Sequence, residues 1–442
     1  MPRRMTPLIL ALLVSILACA LPGPTDPTDV AEQVEATLSA VPPAAPPATE
    51  APATLPPEAG SPEPPAPLRV VYISGGNVWL WEEGLAPRQL TSSGSAARVL
   101  ISSDGARVAF LRLVDASGFG HTQLRAVNAD GTGEMTLLSA AALDALYAPA
   151  ESTVGIDISQ LAFIPGTHAL LFNTYRIPEF IGLMKNDDLL RIDADTGTLT
   201  TLLAPESGGN FVIAPDGTQV ALTTPTAAGL VNVDGTNLRA GLVTFPLVIT
   251  YSEYLYYPTP VWAPDSSAVG IALPSEDPLA SSPSGTTWLI PADGGSATGL
   301  GNITAMFFFP FMQFPALSPS LDQVAYARET GTPNVRDLFI AAPSGASEAL
   351  VTTGEIDWKG WSPDGAHFLY TVGGPFALHL GTVGAPGVPI VTGADPRWIS
   401  PTEFLYLEYG GGGATLYRRS IAGASATIAT LSGDPFAYDF NR

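Results

Sequence analysis

The sequence predicts an all-β fold, a ring of eight four-stranded antiparallel blades forming a β-propeller, on three observations. One short pattern recurs seven times after Arg69. Each copy reads as a tight turn between alternating apolar strands. The chain also ends on a lone strand that would complete a first unit otherwise short of one.

The elements follow in chain order. Arg3 and Arg4 precede an apolar run from Leu8 to Ala18, interrupted by Ser15, which has the form of a secretory leader and is too short to span a bilayer. The run ends Ile16-Leu17-Ala18-Cys19, which resembles the lipobox of bacterial lipoproteins, with Leu17 bulkier than usual at the second position. That resemblance implies that Cys19 is the lipid acceptor and that the protein is held on the outer face of a bacterial membrane. Ala18-Cys19-Ala20 also fits cleavage after Ala20, which would secrete the chain instead. Cys19 is the only cysteine, so no intramolecular disulfide can form.

Residues 20–68 carry 14 prolines, seven acids, no basic residue and no aromatic one. Such a segment cannot bury enough apolar area to offset its chain entropy, and it is expected to be a disordered tether. The predicted organisation is therefore a leader over 1–19, a tether over 20–68 and a propeller over 69–442.

Within the propeller region the copies read Leu100-Ile-Ser-Ser-Asp-Gly, Phe163-Ile-Pro-Gly, Ile213-Ala-Pro-Asp-Gly, Trp262-Ala-Pro-Asp-Ser, Leu317-Ser-Pro-Ser-Leu-Asp, Trp361-Ser-Pro-Asp-Gly and Ile399-Ser-Pro. Proline presets φ for the second position of a type I turn, and glycine takes the left-handed conformation that restores strand pairing. A second turn, centred on Asp-Gly or a close variant such as Asn128-Ala-Asp-Gly, follows each copy and makes the unit four strands. Before the first copy lie only three strands' worth of pattern (Val70 to Ile73, Asn77 to Trp81, Arg88 to Thr91), and the closing strand is Asp434-Pro-Phe-Ala-Tyr-Asp-Phe. Pairing these ends gives eight blades, or seven if the irregular copy at Phe163 merges with its neighbour.

These units resemble the WD-like repeats of TolB-type propellers over everything after Arg69. The resemblance implies the fold. It leaves function open, because such repeats occur in translocation proteins, peptidases and binding proteins.

Charge narrows the partners. With 19 basic residues against 41 acidic ones the net charge is −22, which excludes nucleic acid as an expected partner. In this topology the turns inside each repeat share one end of the ring, while inter-blade connections and second-to-third strand loops share the other. The second class is long and variable, and insertions gathered on one end of a repeat fold mark a binding face. Two insertions are aromatic. One carries Tyr251, Glu253, Tyr254 and Tyr257, and the other Phe308, Phe309 and Phe311. With Asp187 on a third loop, they form the candidate ligand-binding set; self-packing of the loops is the competing reading.

No Gly-x-Ser-x-Gly elbow and no His-Glu-x-x-His occurs, and the four histidines lack ligand spacing, so no catalytic residue, metal site or cofactor is assigned. The expected function is a binding or scaffold module for a protein, peptide or glycan, anchored to the membrane by lipid. The alternative is a carbohydrate-active hydrolase or lyase using paired acids on the long-loop face.

Overall fold

The computed structural model describes residues 67–114, 121–147, 153–178, 185–250, 254–278, 280–305, 314–374 and 376–441. They form an eight-bladed propeller. Blade one joins Tyr438–Phe440 to Arg69–Ser74, Asn77–Glu82 and Arg88–Gln89; blades two to five and seven and eight are four-stranded over 96–138, 153–203, 210–244, 261–304, 356–392 and 394–432. Blade six, at 324–354, has three strands, and its inner position is reduced to a bridge between Leu317 and Val324. The copy at Phe163 ends the inner strand of its own blade, so the count is eight and not seven.

The repeated turn forms as its chemistry dictates. In blade two, Ser102 Oγ accepts from Arg107 N at 2.9 Å and donates to Asp104 Oδ1 at 2.5 Å, and Asp104 accepts from Ala106 N at 3.0 Å. Ser362 and Asp364 repeat the arrangement in blade seven. The serine is fully buried in both, so its hydroxyl must be satisfied locally, and this box does it. Gly105 sits at φ +71°; the equivalent Ser266 and Leu321 hold φ of 60° and 59° without being glycine, so the turn imposes the left-handed conformation on whatever side chain occupies the position.

Among the described residues the buried apolar side chains fall into separate clusters along the seams between neighbouring blades, such as Val71, Ile73 and Val78 of blade one against Val99, Val108 and Phe110 of blade two. Trp262 and Trp361, at the head of their repeat copies, donate their indole N–H across a seam to Val212 O and Ala316 O, both at 2.9 Å. A repeat position that reads as generic apolar in sequence thus carries a specific inter-blade bond.

Closure of the ring rests on three residues. Val70, Val71 and Tyr72 pair with Phe440, Asp439 and Tyr438. Arg69 and Asn441 exchange bonds of 2.7 and 3.2 Å at the end of the ladder, and Asp439 Oδ2 accepts from Ile101 N in blade two at 3.0 Å. Tyr438 and Phe440 are buried. Deleting 434–442 exposes the edge of the first strand and empties the seam against blade eight, so the truncated chain is expected not to fold; an unchanged melting temperature would overturn this closure.

On the short-turn end, His168 Nδ1 lies 2.8 Å from Asp195 and Nε2 3.0 Å from Asp104, which ties blade three to blade two. Burial disfavours its charged form, but the hydrogen bonds to the two carboxylates outweigh that and hold the imidazole above its ordinary value. A raised histidine contributes stability fully below its unfolded value of about 6.5 and loses it as pH rises through the folded value. The melting temperature is therefore expected to fall from pH 6 to pH 8 more steeply in the parent protein than in His168→Gln; parallel curves would exclude this contribution.

Candidate functional site

The long-loop end of blade three gathers side chains from three connections. Its first two strands, Thr153–Phe163 and Ala169–Pro178, extend well beyond the usual blade length, which carries Asp157, Thr174, Tyr175 and Arg176 toward that end. The connection from blade two adds Tyr147, just after the short helix Ala140–Asp144, and the loop entering the third strand adds Asn186, Asp187 and Asp188.

Two of the three carboxylates are pinned by neutral donors. Asp188 is fully buried and accepts from Thr174 N at 2.7 Å, Thr174 Oγ1 at 2.5 Å and Tyr147 Oη at 2.9 Å. Asp157 accepts from Thr122 Oγ1 in blade two and from Ile158 N at 2.8 Å. Burial pushes both carboxyls above the usual range, in each case against the pull of these hydrogen bonds. Asp187 differs, because Arg176 Nη2 meets both its oxygens at 2.6 Å. Arg176 Nη1 is buried and finds no hydrogen-bond partner among the described residues.

The tyrosine-rich insertion between blades four and five packs against this group. It forms an extra hairpin, Ile249–Thr250 with Tyr254–Leu255, outside the blades. Tyr257 Oη accepts from Asn186 N at 3.1 Å, and burial raises its phenol, with the nearby Asp187 charge adding to the effect. Beneath the hairpin, Val248 is buried and its carbonyl accepts from Tyr256 N at 3.0 Å; on the outside, Leu247 is 45% exposed and Ile249 47%.

The structure therefore brings Tyr257 to the loop of Asp187, through the bond that the neighbouring Asn186 N–H donates to its hydroxyl. Asp187, expected from the sequence to belong to the ligand-binding set on the long-loop face, is buried together with Asp188, because the extended second strand supplies Arg176 and Thr174 to meet them. For Tyr254 only the backbone is described. Tyr251, Glu253, Phe308, Phe309, Phe311 and Cys19 lie outside the described residues. Tyr147, Asp157 and Arg176 were not singled out from sequence, since their partners are 41, 35 and 11 positions away and no spacing rule marks them. Among the described residues no group of three His, Cys, Asp or Glu side chains is placed to hold a metal, and no helix is long and apolar enough to cross a membrane.

Replacing Asp188 with alanine leaves the Thr174 amide and two hydroxyls without their acceptor. The expected loss is about 1 to 3 kcal/mol of stability, with about 1 kcal/mol for Tyr147→Phe. Chemical denaturation checks both; equal losses would show that Tyr147 alone accounts for the role of Asp188.

No protein-family model matches the chain, and no curated protein matches it. Solved structures share the fold. Dipeptidyl peptidase 4 of Porphyromonas gingivalis aligns at 11% identity over 81% of this chain and 57% of that one, with a TM-score of 0.50, so the chain spans little more than half of that enzyme. The propeller domain of the Trilobed protease from Pyrococcus furiosus aligns at 10% identity over 77% and 99%, with a TM-score of 0.46. A TolB-like protein from Agrobacterium tumefaciens aligns at 15% identity over 53% and 86%, with a TM-score of 0.32. At these identities the likeness is one of fold.

Proposed function

We propose that this chain is an exported, lipid-anchored propeller whose long-loop face binds a polypeptide partner, without chemistry of its own. The observation that carries the reading is the extra hairpin between blades four and five. It is buttressed from below by Tyr257 and Val248 and presents Leu247 and Ile249 to solvent. A loop that needed only to pack on itself would turn its aliphatic side chains inward, as Val248 does. A firm base under exposed aliphatic groups suits a protein contact, in which a small apolar centre supplies the affinity. A sugar would gain less from Leu247 and Ile249, which offer neither a flat aromatic face nor hydrogen bonds.

The rival reading, a hydrolase or lyase with paired acids, draws on Asp157 and Asp188 and their raised carboxyls. Asp188 has no exposed surface and its oxygens already accept three bonds, so a substrate would have to displace Tyr147 or Thr174 to reach it. These contacts favour a role in holding the loops. The leader and the proline-rich segment supply the rest of the reading, with Cys19 as acceptor and a spacer that would hold the propeller away from the membrane surface.

Two measurements test the proposal. The protein with Leu247→Asp and Ile249→Asp, expressed from its full chain, is expected to keep its melting temperature and to lose co-purification of the partner from envelope membranes; retained capture would remove the hairpin from the interface. Mass spectrometry of the mature N-terminus is expected to show an acylated Cys19, and Cys19→Ser to release the protein from membranes. An unmodified terminus beginning after Ala20 would make it a secreted protein instead.

A further inference from the structure

Half a ring away from the hairpin, the long-loop end carries a second feature that uses none of the residues above. Tyr409 is the last residue but one of the second strand of blade eight, Glu403–Gly410, beside a run of four glycines, 410–413, that turns into the third strand. Its ring stands between two others. Phe376, from the corresponding loop of blade seven, lies edge-on at 5.8 Å between centroids, and Phe436, from the connection into the closing strand, lies at 5.7 Å. Phe376 and Tyr409 are each 44% exposed. Tyr409, Phe436, Asp434 and the glycines line an open recess of about 730 Å³.

Carboxylates flank the rings. Asp395, exposed and in the left-handed region at φ 48°, accepts from Tyr409 Oη at 3.4 Å, and Asp434 is exposed at the lip. Burial, followed by the charges of Asp395 and Asp434, pushes the Tyr409 phenol up. Neither carboxylate forms an ion pair among the described residues. Arg397, on the same strand as Asp395, has its guanidinium 5.0 Å from the Tyr438 ring centroid and Nη1 3.5 Å from Asp439. The glycines add no side chains, so the backbone itself forms one wall and leaves the approach to Tyr409 open.

Exposed aromatic faces beside unpaired carboxylates on a chain of net charge −22 select for positive charge. The exposed aromatic surface attracts a cation through the ring quadrupoles, and the carboxylates add attraction that a neutral ligand would not use. We propose that this recess is a subsite for a basic side chain, arginine or lysine, of a bound polypeptide, seated against Tyr409 and Phe436 with Asp395 and Asp434 as counter-charges. It rests on the reading of the long-loop face as the binding face for a polypeptide, and it specifies a chemistry for that partner.

The test uses the full-length protein and three probes, the blocked peptides Gly-Arg-Gly and Gly-Leu-Gly and methyl glucoside, titrated by ligand-observed NMR. Gly-Arg-Gly is expected to bind, to weaken several-fold as salt rises from 50 to 300 mM, and to lose about tenfold or more in affinity with Asp434→Asn and with Tyr409→Ala. Asp434 is exposed, so Asp434→Asn should leave the melting temperature unchanged; Tyr409→Ala gives up two ring contacts, and its thermal melt is recorded to show that it remains folded. Equal binding of Gly-Leu-Gly, preference for the glucoside, or binding of Gly-Arg-Gly unaffected by either variant overturns the subsite. Loss of partner capture in the Leu247 and Ile249 variant with capture intact in Tyr409→Ala would sink the subsite and leave the binding face standing.

Discussion

Everything in this molecule depends on the pairing of Tyr438–Phe440 with Val70–Tyr72. A propeller made of repeated blades has two open ends until the chain's last strand is added to its first unit, and an unclosed ring would leave an unpaired strand edge and two half-covered seams. Because the apolar clusters lie between blades, each blade is stable only if both neighbours are in place. Three residues of ladder thus complete a burial shared by all eight blades.

Closure also sorts the loops. Every blade places its repeated turn at one end of the ring and its connections at the other, so the ends experience different constraints. At the first, the repeated turn keeps its length from blade to blade; where a buried serine heads it, as at Ser102, Ser318 and Ser362, the hydroxyl is satisfied inside the turn, and His168 bridges two blades there. At the second, chain length is free to vary, and two features with exposed apolar surface occur on that end. The hairpin at 249–255 offers aliphatic groups. The Phe376, Tyr409 and Phe436 cluster offers aromatic faces bordered by acid. A single elongated partner could engage both, because they share an end of the ring.

Buried acid plays a different part from exposed acid in this arrangement. Asp157 and Asp188 are enclosed by threonine, tyrosine and backbone donors and hold blade three to a strand of blade two and to the connection that leaves it. Asp395 and Asp434 remain in solvent, where their charge can act on a ligand. The same residue type serves loop architecture in one place and recognition in the other, and the number of donors around each carboxylate separates the two.

The repeat was legible because its signal is local. Serine, proline, aspartate and glycine within four or five positions specify a turn whose bonds close inside it, and seven copies made the blade count readable down to the three-stranded start and the lone final strand. Even Ser266 and Leu321, which break the glycine rule, were recognisable from the residues around them. The site was legible only in outline. The aromatic insertion at 251–257 stood out by composition, but the bond from Asn186 to Tyr257 spans 71 positions, and the burial of Asp187 and Asp188 follows from Arg176, Thr174 and Tyr147 arriving on other segments. Phe376, Tyr409 and Phe436 are unremarkable where they occur in the chain. By itself the sequence determined the strands, the turns and the ring, because those rest on contacts between near neighbours repeated many times. Which acids are pinned and which are free, and which aromatic rings meet, only the tertiary structure decided, because those contacts cross between blades at separations no repeat encodes.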